Sequence, residues 1–396
     1  MRLCSLRLAD IIEGGLDDAT DKAALLAVAD SGSDFSGDGR EQVLRFSGGG
    51  VAARMKAGKD KLVSIVVAAD GSGDFTSIQA AVDTVPATNK ERVIIYIRNG
   101  FYYEKLHIEK PMISLIGENV SETIISFDDH ATKAFPDGEP YHTFYSYTVF
   151  VGADDFIGEN MTFINTAGPG EKVGQALALY ADGDRACFRS CRLIGHQDTL
   201  FTGPLPEVPI DRSFFGGPRE GAPRRQSRQY YENCYIEGDI DFIFGSATAL
   251  FNRCEIFAKN RGAAEPDAIN GWIAAASTPE HAPHGYVFNE CRLTGDAPTG
   301  SVYLGRPWRN YAKTIFIRCW MGEHIAPAGW DDWNKLDAHH TVYYAEYAST
   351  GPGGSSDNRI NWSRQLTGEQ ADDYSVVHIL AGVDGWSPLQ RERPME

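Results

Sequence analysis

Five short segments of the sequence share one pattern: an aromatic residue three positions before a cysteine and an aliphatic residue two positions after it. Their cysteines are Cys191, Cys234, Cys254, Cys291 and Cys319, separated by 43, 20, 37 and 28 residues. The cysteine and the aliphatic residue point to the same face of a strand. A short strand that recurs in this way is typical of a solenoid, in which equivalent side chains of stacked strands lie about 4.8 Å apart.

Small apolar cysteines suit the interior of such a stack, so we expect these five to be buried and unligated. Disulfide-bonded or metal-binding cysteines are the functional alternative, and a disulfide between two neighbouring coils stays open. The uneven intervals predict loops between the coils. The longest covers 202–228, where proline and glycine are frequent.

Outside the repeat, residues 77–83 predict one short amphipathic helix that caps the N-terminal end of the solenoid. Residues 93–97 are expected to form the first strand. Residues 1–61 lack a strand rhythm and are expected to be a poorly ordered extension. The solenoid domain then covers 62–390, and 391–396 form a short tail.

The net charge of −17 argues against nucleic-acid binding and against docking on anionic membranes. It leaves open an acidic polymer whose carboxyl groups are esterified and therefore neutral. The sequence has no run of 18 apolar residues and no recognisable signal peptide near its start. We expect a monomer.

Two aspartates occupy the same place relative to the cysteine repeat. Asp198 follows Cys191 by seven residues, and Asp241 follows Cys234 by seven residues. If 202–228 is a loop, the two carboxyl groups lie on adjacent coils at close range. They cannot both ionise cheaply, so one should stay protonated near neutral pH. The pair then supplies one acid and one base or nucleophile.

Other candidate residues surround this pair. Gln197 precedes Asp198, and Gln175 lies 22 residues earlier, about one coil away, so the two amides are expected to stack and could stabilise an oxyanion. Arg306 could keep one aspartate ionised through two hydrogen bonds. Trp308 offers a flat face for a sugar ring, although a lone tryptophan is more often a core residue. The alternative for the aspartates and glutamines is a set of solvated turn residues.

Five motifs, in order, resemble the pectin methylesterase family. They are Gly100–Glu104 (GFYYE), Gln175–Leu179 (QALAL), Gly195–Leu200 (GHQDTL), Asp241–Gly245 (DFIFG) and Leu304–Trp308 (LGRPW). The resemblance covers roughly residues 64–389. It implies an all-β, right-handed parallel β-helix, secretion, and hydrolysis of methyl esters in pectin (homogalacturonan) without a metal or an organic cofactor.

The resemblance also implies residue roles. Asp241 would be the nucleophile, and Asp198 the acid and later the base. Gln175 and Gln197 would form the oxyanion hole. Arg306 would orient Asp241 and Trp308 would stack on galacturonate. Two further substrate contacts are implied, at Thr143 and at Phe201, where the family often has tyrosine.

The chain departs from the family in one place, because 43 residues separate its two aspartates whereas the family usually places them about one coil apart. The additional residues fall in the 202–228 loop, which contains five arginines. We hypothesise that this loop lies at the rim of the cleft and that its arginines slow the release of demethylated pectin. A passive surface loop is the alternative.

Four other functions are compatible with parts of the pattern. A pectate lyase would need a carboxylate-rich Ca²⁺ site, and a polygalacturonase would use two carboxylates without the glutamine pair. A non-catalytic carbohydrate-binding solenoid would need neither pair. An esterase or thioesterase with another substrate would keep the same residues.

Overall fold

The described part of the chain winds in successive coils, and its strands lie in three parallel sheets. The computed structural model describes residues 63–210, 212–262 and 268–389. The expectations for residues 1–61 and 391–396 concern parts of the chain that lie outside these ranges.

The described residues form 26 strands. They are β1 (Val63–Val67), β2 (Val93–Ile97), β3 (Gly100–Tyr103), β4 (Leu106–Ile108), β5 (Ile113–Gly117), β6 (Thr123–Phe127), β7 (Val149–Val151), β8 (Ile157–Glu159), β9 (Thr162–Asn165), β10 (Leu179–Ala181), β11 (Ala186–Arg189), β12 (Arg192–Ile194), β13 (Leu200–Thr202), β14 (Arg228–Glu232), β15 (Tyr235–Gly238), β16 (Ile240–Gly245), β17 (Thr248–Asn252), β18 (Glu255–Ala258), β19 (Gly271–Ala276), β20 (Tyr286–Asn289), β21 (Arg292–Gly295), β22 (Val302–Gly305), β23 (Lys313–Ile317), β24 (Trp320–Met321), β25 (Tyr343–Tyr347) and β26 (Arg364–Gln365).

Sheet A has the order β1-β2-β5-β8-β11-β14-β17-β20-β23-β25-β26. Sheet B has the order β3-β6-β9-β12-β15-β18-β21-β24, and sheet C the order β4-β7-β10-β13-β16-β19-β22. The strand pairs between these neighbours are parallel. From β2 to β24, successive strands of each sheet differ by three in number, because each coil has three sides and adds one strand to each sheet. The predicted parallel β-helix is therefore confirmed.

The cysteine repeat marks the same corner in five of the coils. The aromatic residues at position −3 stack in sheet A with centroid distances of 5.1, 4.7, 4.6 and 4.5 Å and nearly parallel rings; they are Phe188, Tyr231, Phe251, Phe288 and Phe316. The spacing matches the distance between neighbouring strands. The stack therefore fills the interior along the helix axis.

The residue before each cysteine makes the turn from sheet A to sheet B. Its φ is positive, between 49° and 54°, at Ser190, Asn233, Arg253, Glu290 and Arg318. This single left-handed residue turns the chain, and the cysteine that follows is buried. Each cysteine thiol donates to a carbonyl of the preceding coil, for example Cys291 Sγ to Phe251 O at 3.3 Å. The predicted burial of the five cysteines is confirmed, and the structure describes them as free thiols.

The predicted N-terminal helix is α1 (Ile78–Asp83), which buries Ile78, Ala81 and Val82. Glu104, the acidic residue of the GFYYE motif, accepts hydrogen bonds from the backbone N–H groups of Ile78 and Gln79 at 2.9 and 3.0 Å. A carboxylate at a helix N-terminus is favourable because it neutralises unpaired N–H groups. This motif residue therefore anchors the helix to the first coil.

One expectation about the N-terminal end of the solenoid needs correction. Residues 93–97 form the second strand, because β1 precedes α1 and pairs with β2 from Val63 to Val67. The short apolar run of β1, Val63–Val67, lacks the cysteine pattern that marks the later strands. Four further short helices occur among the described residues: α2 (Gly170–Val173), α3 (Ala338–Thr341), α4 (Gly368–Asp372) and α5 (Val376–Leu380). Ile379 and Leu380 of α5 pack on the outer face of sheet A.

Candidate active site

Asp198, two residues before β13, and Asp241, in β16, lie at the same register on neighbouring coils. Strand β13 pairs with β16 so that Leu200 lies beside Ile243, an offset of 43 residues that also places Asp198 beside Asp241. The Asp198 N–H donates to the carbonyl oxygen of Ile240 at 3.0 Å. The expected adjacency of the two aspartates is therefore confirmed. The 202–228 loop makes it possible, because β13 ends at Thr202 and β14 begins at Arg228.

Both aspartates have left-handed backbone, with φ of 63° at Asp198 and 48° at Asp241. Such a conformation is uncommon for residues other than glycine, although aspartate is among those that tolerate it. Both side chains are buried, with 7% and 6% of each residue exposed. Local strain and buried charge together are typical of functional sites rather than of solvated turns.

The partners of the two carboxyl groups differ. Arg306 donates from Nε to Asp241 Oδ1 at 2.8 Å and from Nη2 to Asp241 Oδ2 at 2.7 Å. This is the bidentate pair expected from the sequence. Within the described part of the chain, the carboxyl group of Asp198 has no hydrogen bond to a protein group.

This difference separates the acidities of the pair. Burial raises the pKa of Asp198 well above the ordinary carboxyl range, and the charge of Asp241 raises it further. Burial also raises the pKa of Asp241, but there the hydrogen bonds and the charge of Arg306 oppose the effect. Asp241 is therefore the stronger acid, and the state with Asp241 ionised and Asp198 protonated is favoured.

The aspartates lie in a cleft of about 490 Å³. Its lining includes most of the residues singled out in the sequence: Thr143, Gln175, Gln197, Asp198, Asp241, Arg306 and Trp308. Gln175 lies beside Gln197 on the neighbouring coil, because the N–H of the next residue, Ala176, donates to the carbonyl oxygen of Gln197 at 3.2 Å. Both half-buried glutamines face the same cleft.

Phe201 does not contact the cleft, which corrects the expectation of a direct substrate contact. It is fully buried in sheet C and packs against Phe244 and Trp308, with centroid distances of 5.0 and 6.4 Å. Phe244, one coil further on at the same register, lines the cleft instead. The side chain of Phe201 thus lies beside Phe244 in the aromatic cluster on the outer face of sheet C.

The 202–228 loop contributes directly to the cleft wall, through Pro209, Ile210, Arg212 and Phe215. Its position at the rim is therefore confirmed. Arg309 also ties it to the segment after β22, by donating to the carbonyl oxygen of Val208 at 3.0 Å.

The five arginines of this loop do not form the expected cluster at the cleft. Arg219 pairs with Asp182 at 2.6 Å, and Arg225 pairs with Asp154 at 2.8 Å. Arg224 donates to loop carbonyl groups, and Arg228 binds Asp184 and Asp384. These four hold the loop on the coil body or stabilise its turns, so only the exposed Arg212 lines the cleft.

Several cleft residues were not singled out in the sequence. Phe144 and Ala275 contribute to its lining, and Trp333 and Lys335 reach it from the segment after β24. Trp333 belongs to a GWDDW run, but tryptophan and aspartate there carried no register relation to the cysteine repeat. Among the described residues, no group of three or more His, Cys, Asp or Glu side chains is placed to hold a metal ion.

The sequence profile of the pectinesterase family matches residues 64–207 and 222–383. The chain belongs to the pectinesterase family. The unmatched segment, 208–221, is the part of the loop that contains Pro209, Ile210, Arg212 and Phe215. The two matched ranges contain Gln175, Asp198, Asp241 and Arg306, and the unmatched segment supplies part of the cleft wall.

Individual relatives agree with the family assignment. Pectinesterase 2 of Citrus sinensis is 34% identical over 334 residues, which are 82% of this chain and 59% of that protein. The chain thus spans less than two thirds of that relative's length. The pectin methylesterase PemA from Erwinia chrysanthemi has a similar structure, with a TM-score of 0.67, 29% identity and coverage of 83% of this chain and 99% of PemA. A pectin methylesterase in complex with a hexasaccharide gives a TM-score of 0.68 at 28% identity, covering 84% of this chain and all of the other.

Proposed function

We propose that the chain is a pectin methylesterase, a carboxylic ester hydrolase that releases methanol from methylated galacturonate residues of pectin and leaves pectate. The observation that carries the proposal is the unequal pair of buried aspartates: Arg306 binds Asp241 through both oxygens, whereas Asp198 has no such partner. Membership of the pectinesterase family and the likeness to a pectin methylesterase that binds a hexasaccharide favour this substrate class.

In the proposed first step, the ionised Asp241 attacks the carbonyl carbon of the methyl ester. The amides of Gln175 and Gln197 donate to the oxyanion of the tetrahedral intermediate. The bond to the methoxy group breaks as Asp198 transfers its proton to the leaving oxygen, so methanol departs and an acyl intermediate remains on Asp241.

In the second step, Asp198 acts as a base. It accepts a proton from water, the resulting hydroxide attacks the acyl intermediate, and the bond to Asp241 breaks. The product forms as the carboxylic acid and loses its proton to solvent, Asp241 is again ionised and Asp198 is again protonated. Trp308 stacks on the galacturonate ring and Thr143 contacts the substrate, as their places in the cleft allow.

The test is an assay of methanol release from methylated pectin, with Asp241→Ala as the control and with unsaturated and reducing ends measured in parallel. Methanol release without either kind of end supports the esterase. Chain cleavage without methanol would instead indicate a lyase or a glycosidase. Activity confined to other members of an ester and thioester panel would overturn the substrate.

The remaining proposals concern the whole chain. We infer that it acts as a secreted monomer, in line with the family resemblance; among the described helices, none combines the length and the apolar character that a membrane crossing requires. We infer that residues 1–61 lie outside the catalytic domain, since the family profile begins at residue 64. Deletion of 1–61 should leave kcat/KM within a few-fold of the full chain, and a larger loss from a folded variant would contradict this.

A further inference from the structure

The guanidinium group of Arg306 lies between two tryptophan rings. Its central carbon is 3.8 Å from the ring centroid of Trp272 and 3.8 Å from that of Trp333. Two indole rings so close to one small planar group cannot share a face without overlapping, so they cover its opposite faces. The hydrogen-bonding edge of the group remains open toward Asp241.

Three separate parts of the fold build this arrangement. Trp272 belongs to β19, which lies between β16, the strand of Asp241, and β22, the strand that precedes Arg306. The arginine side chain therefore crosses a whole coil by lying over Trp272. Tyr303 is the register partner of Trp272 and backs its indole with a nearly parallel ring at 6.4 Å.

The second face is covered from the segment after β24. Trp333 has left-handed backbone, with a φ of 53°, and its N–H donates to the Asp331 carboxylate at 2.6 Å. The ammonium group of Lys335 lies 4.4 Å from the centroid of the Trp333 ring and donates to the carbonyl oxygen of Pro307 at 2.6 Å. Trp333 is thus fixed by its own backbone and by a tie to the segment of Arg306.

The two indole rings fix the plane of the Arg306 guanidinium group and leave its full positive charge in place. Aromatic faces attract a guanidinium group without accepting its N–H bonds, so Nε and Nη2 stay available for the two oxygens of Asp241. The indole N–H of Trp272 is buried and has no hydrogen-bond partner in the described residues, so the ring contributes its face rather than its polar atom.

We propose that Trp272 and Trp333 are positioning residues that fix the plane of Arg306 and, through it, the direction and the ionised state of the Asp241 carboxylate. The inference rests on the proposed role of Asp241 as nucleophile. It adds two residues outside the five family motifs seen in the sequence. Trp272 is the cleaner target, because Trp333 also lines the cleft and can touch the substrate.

The test compares Trp272→Leu with Trp272→Phe in the full chain, measuring methanol release from a short methylated oligogalacturonate against pH. Trp272→Leu should lower kcat about 10- to 100-fold through misplacement of the nucleophile, with a much smaller change in KM. The acid limb of the pH profile should move to higher pH, because a loosely held Arg306 opposes protonation of Asp241 less well. Trp272→Phe restores an aromatic face and should recover most of the activity and the original limb.

Trp320→Leu is the matched control. Its ring also carries a guanidinium group, that of Arg292 at 5.0 Å, but Trp320 lies on β24 in sheet B and not in the cleft. It should leave kcat and the acid limb unchanged. If Trp320→Leu and Trp272→Leu had equal effects, the packing of Trp272 on Arg306 would be only a general stabilising contact, and the proposal would be overturned. An unchanged acid limb in folded Trp272→Leu would also overturn it.

Two further arms keep the test decisive. If Trp272→Leu does not fold, Trp333→Leu must show the upward shift of the acid limb, and an unchanged limb overturns the proposal. Carboxyl NMR of Asp241 in the free protein reports the same shift without substrate. An active Asp241→Asn variant would refute the proposed function alone. An unchanged Asp241 pKa in Trp272→Leu would refute only the positioning role of the two tryptophans.

Discussion

Asp198 and Asp241 stand at the same register on neighbouring coils and share the same left-handed backbone, yet their surroundings differ. Asp241 is bound by an arginine that reaches it from two coils away, whereas the carboxyl group of Asp198 has no hydrogen bond to any other group of the described residues. A solenoid repeats positions, so stacking alone gives two equal groups. The difference between them comes from outside the repeat, from Arg306 and the two tryptophans that hold it.

Replacement of either aspartate should give the largest effect. Asp241→Ala and Asp198→Ala should each lower kcat for methanol release by a factor on the order of 10³ or more, because the nucleophile and the acid act as a unit. For the same reason the double variant should be little worse than either single one. Circular dichroism serves as the folding control. Near wild-type methanol release by either folded variant would end the assignment of the pair.

Replacement of the glutamines should give the second-largest effect, because their amides stabilise the oxyanion but neither transfer a proton nor attack the ester. Gln175→Ala and Gln197→Ala should each lower kcat about 10²- to 10³-fold, as loss of an oxyanion donor does. The pH limits of activity should not move, since neither amide is hydrogen-bonded to an aspartate carboxyl group in the described structure. A shift of either limb with little loss of kcat would show that the amides tune the aspartates rather than the oxyanion.

Arg306→Lys tests the origin of the asymmetry itself. Lysine keeps the charge but cannot bind both oxygens of Asp241, so the pKa of Asp241 should rise. Activity requires ionised Asp241, and the acid limb of kcat/KM should therefore move to higher pH, with kcat lower by about 10- to 100-fold. If the basic limb, set by Asp198, moved instead, the roles of the two aspartates would be reversed.

The smallest predicted effect concerns the part of the cleft wall that the 202–228 loop supplies. Arg212→Ala should weaken inhibition by polygalacturonate about two- to fivefold, as expected for one exposed charge, and the effect should fade with added salt. Arg225→Ala, in the same loop but paired with Asp154 outside the cleft, is the control and should change nothing. Equal inhibition of wild type and Arg212→Ala at every salt concentration would make the loop a passive wall.

The parts of this structure that could be predicted from the sequence are those that the repeat determines. Asp198 and Asp241 follow their cysteines by the same interval, so their register followed once 202–228 was interpreted as a loop. Stacking fixes equivalent positions because each strand pairs in register with the next. The burial of Cys191 and its equivalents is predictable for the same reason.

The missed features depend on contacts that no repeat describes. Strand β1 is separated from the repeat by a helix, and its short apolar run has no cysteine to mark it. Phe201 was expected in the cleft because its motif neighbours are there. It does lie on the outer face of sheet C, the face on which Phe244 lines the cleft, but the rings of Phe144, Phe244 and Trp308 pack around it and bury it. The salt bridges of Arg219 and Arg225 join them to acids on other coils, which sequence distance does not reveal.

The central claim is that Asp198 is protonated at a pH where Asp241 is ionised. Carboxyl NMR of enzyme labelled at aspartate, with signals assigned through Asp198→Asn and Asp241→Asn, measures both groups directly in the free protein. We expect Asp241 to titrate first as the pH rises, Asp198 to titrate well above the ordinary carboxyl range, and the pKa of Asp198 to fall in Asp241→Asn because the neighbouring charge is gone. Titration of Asp198 below Asp241, or of both within the ordinary range, would contradict the account.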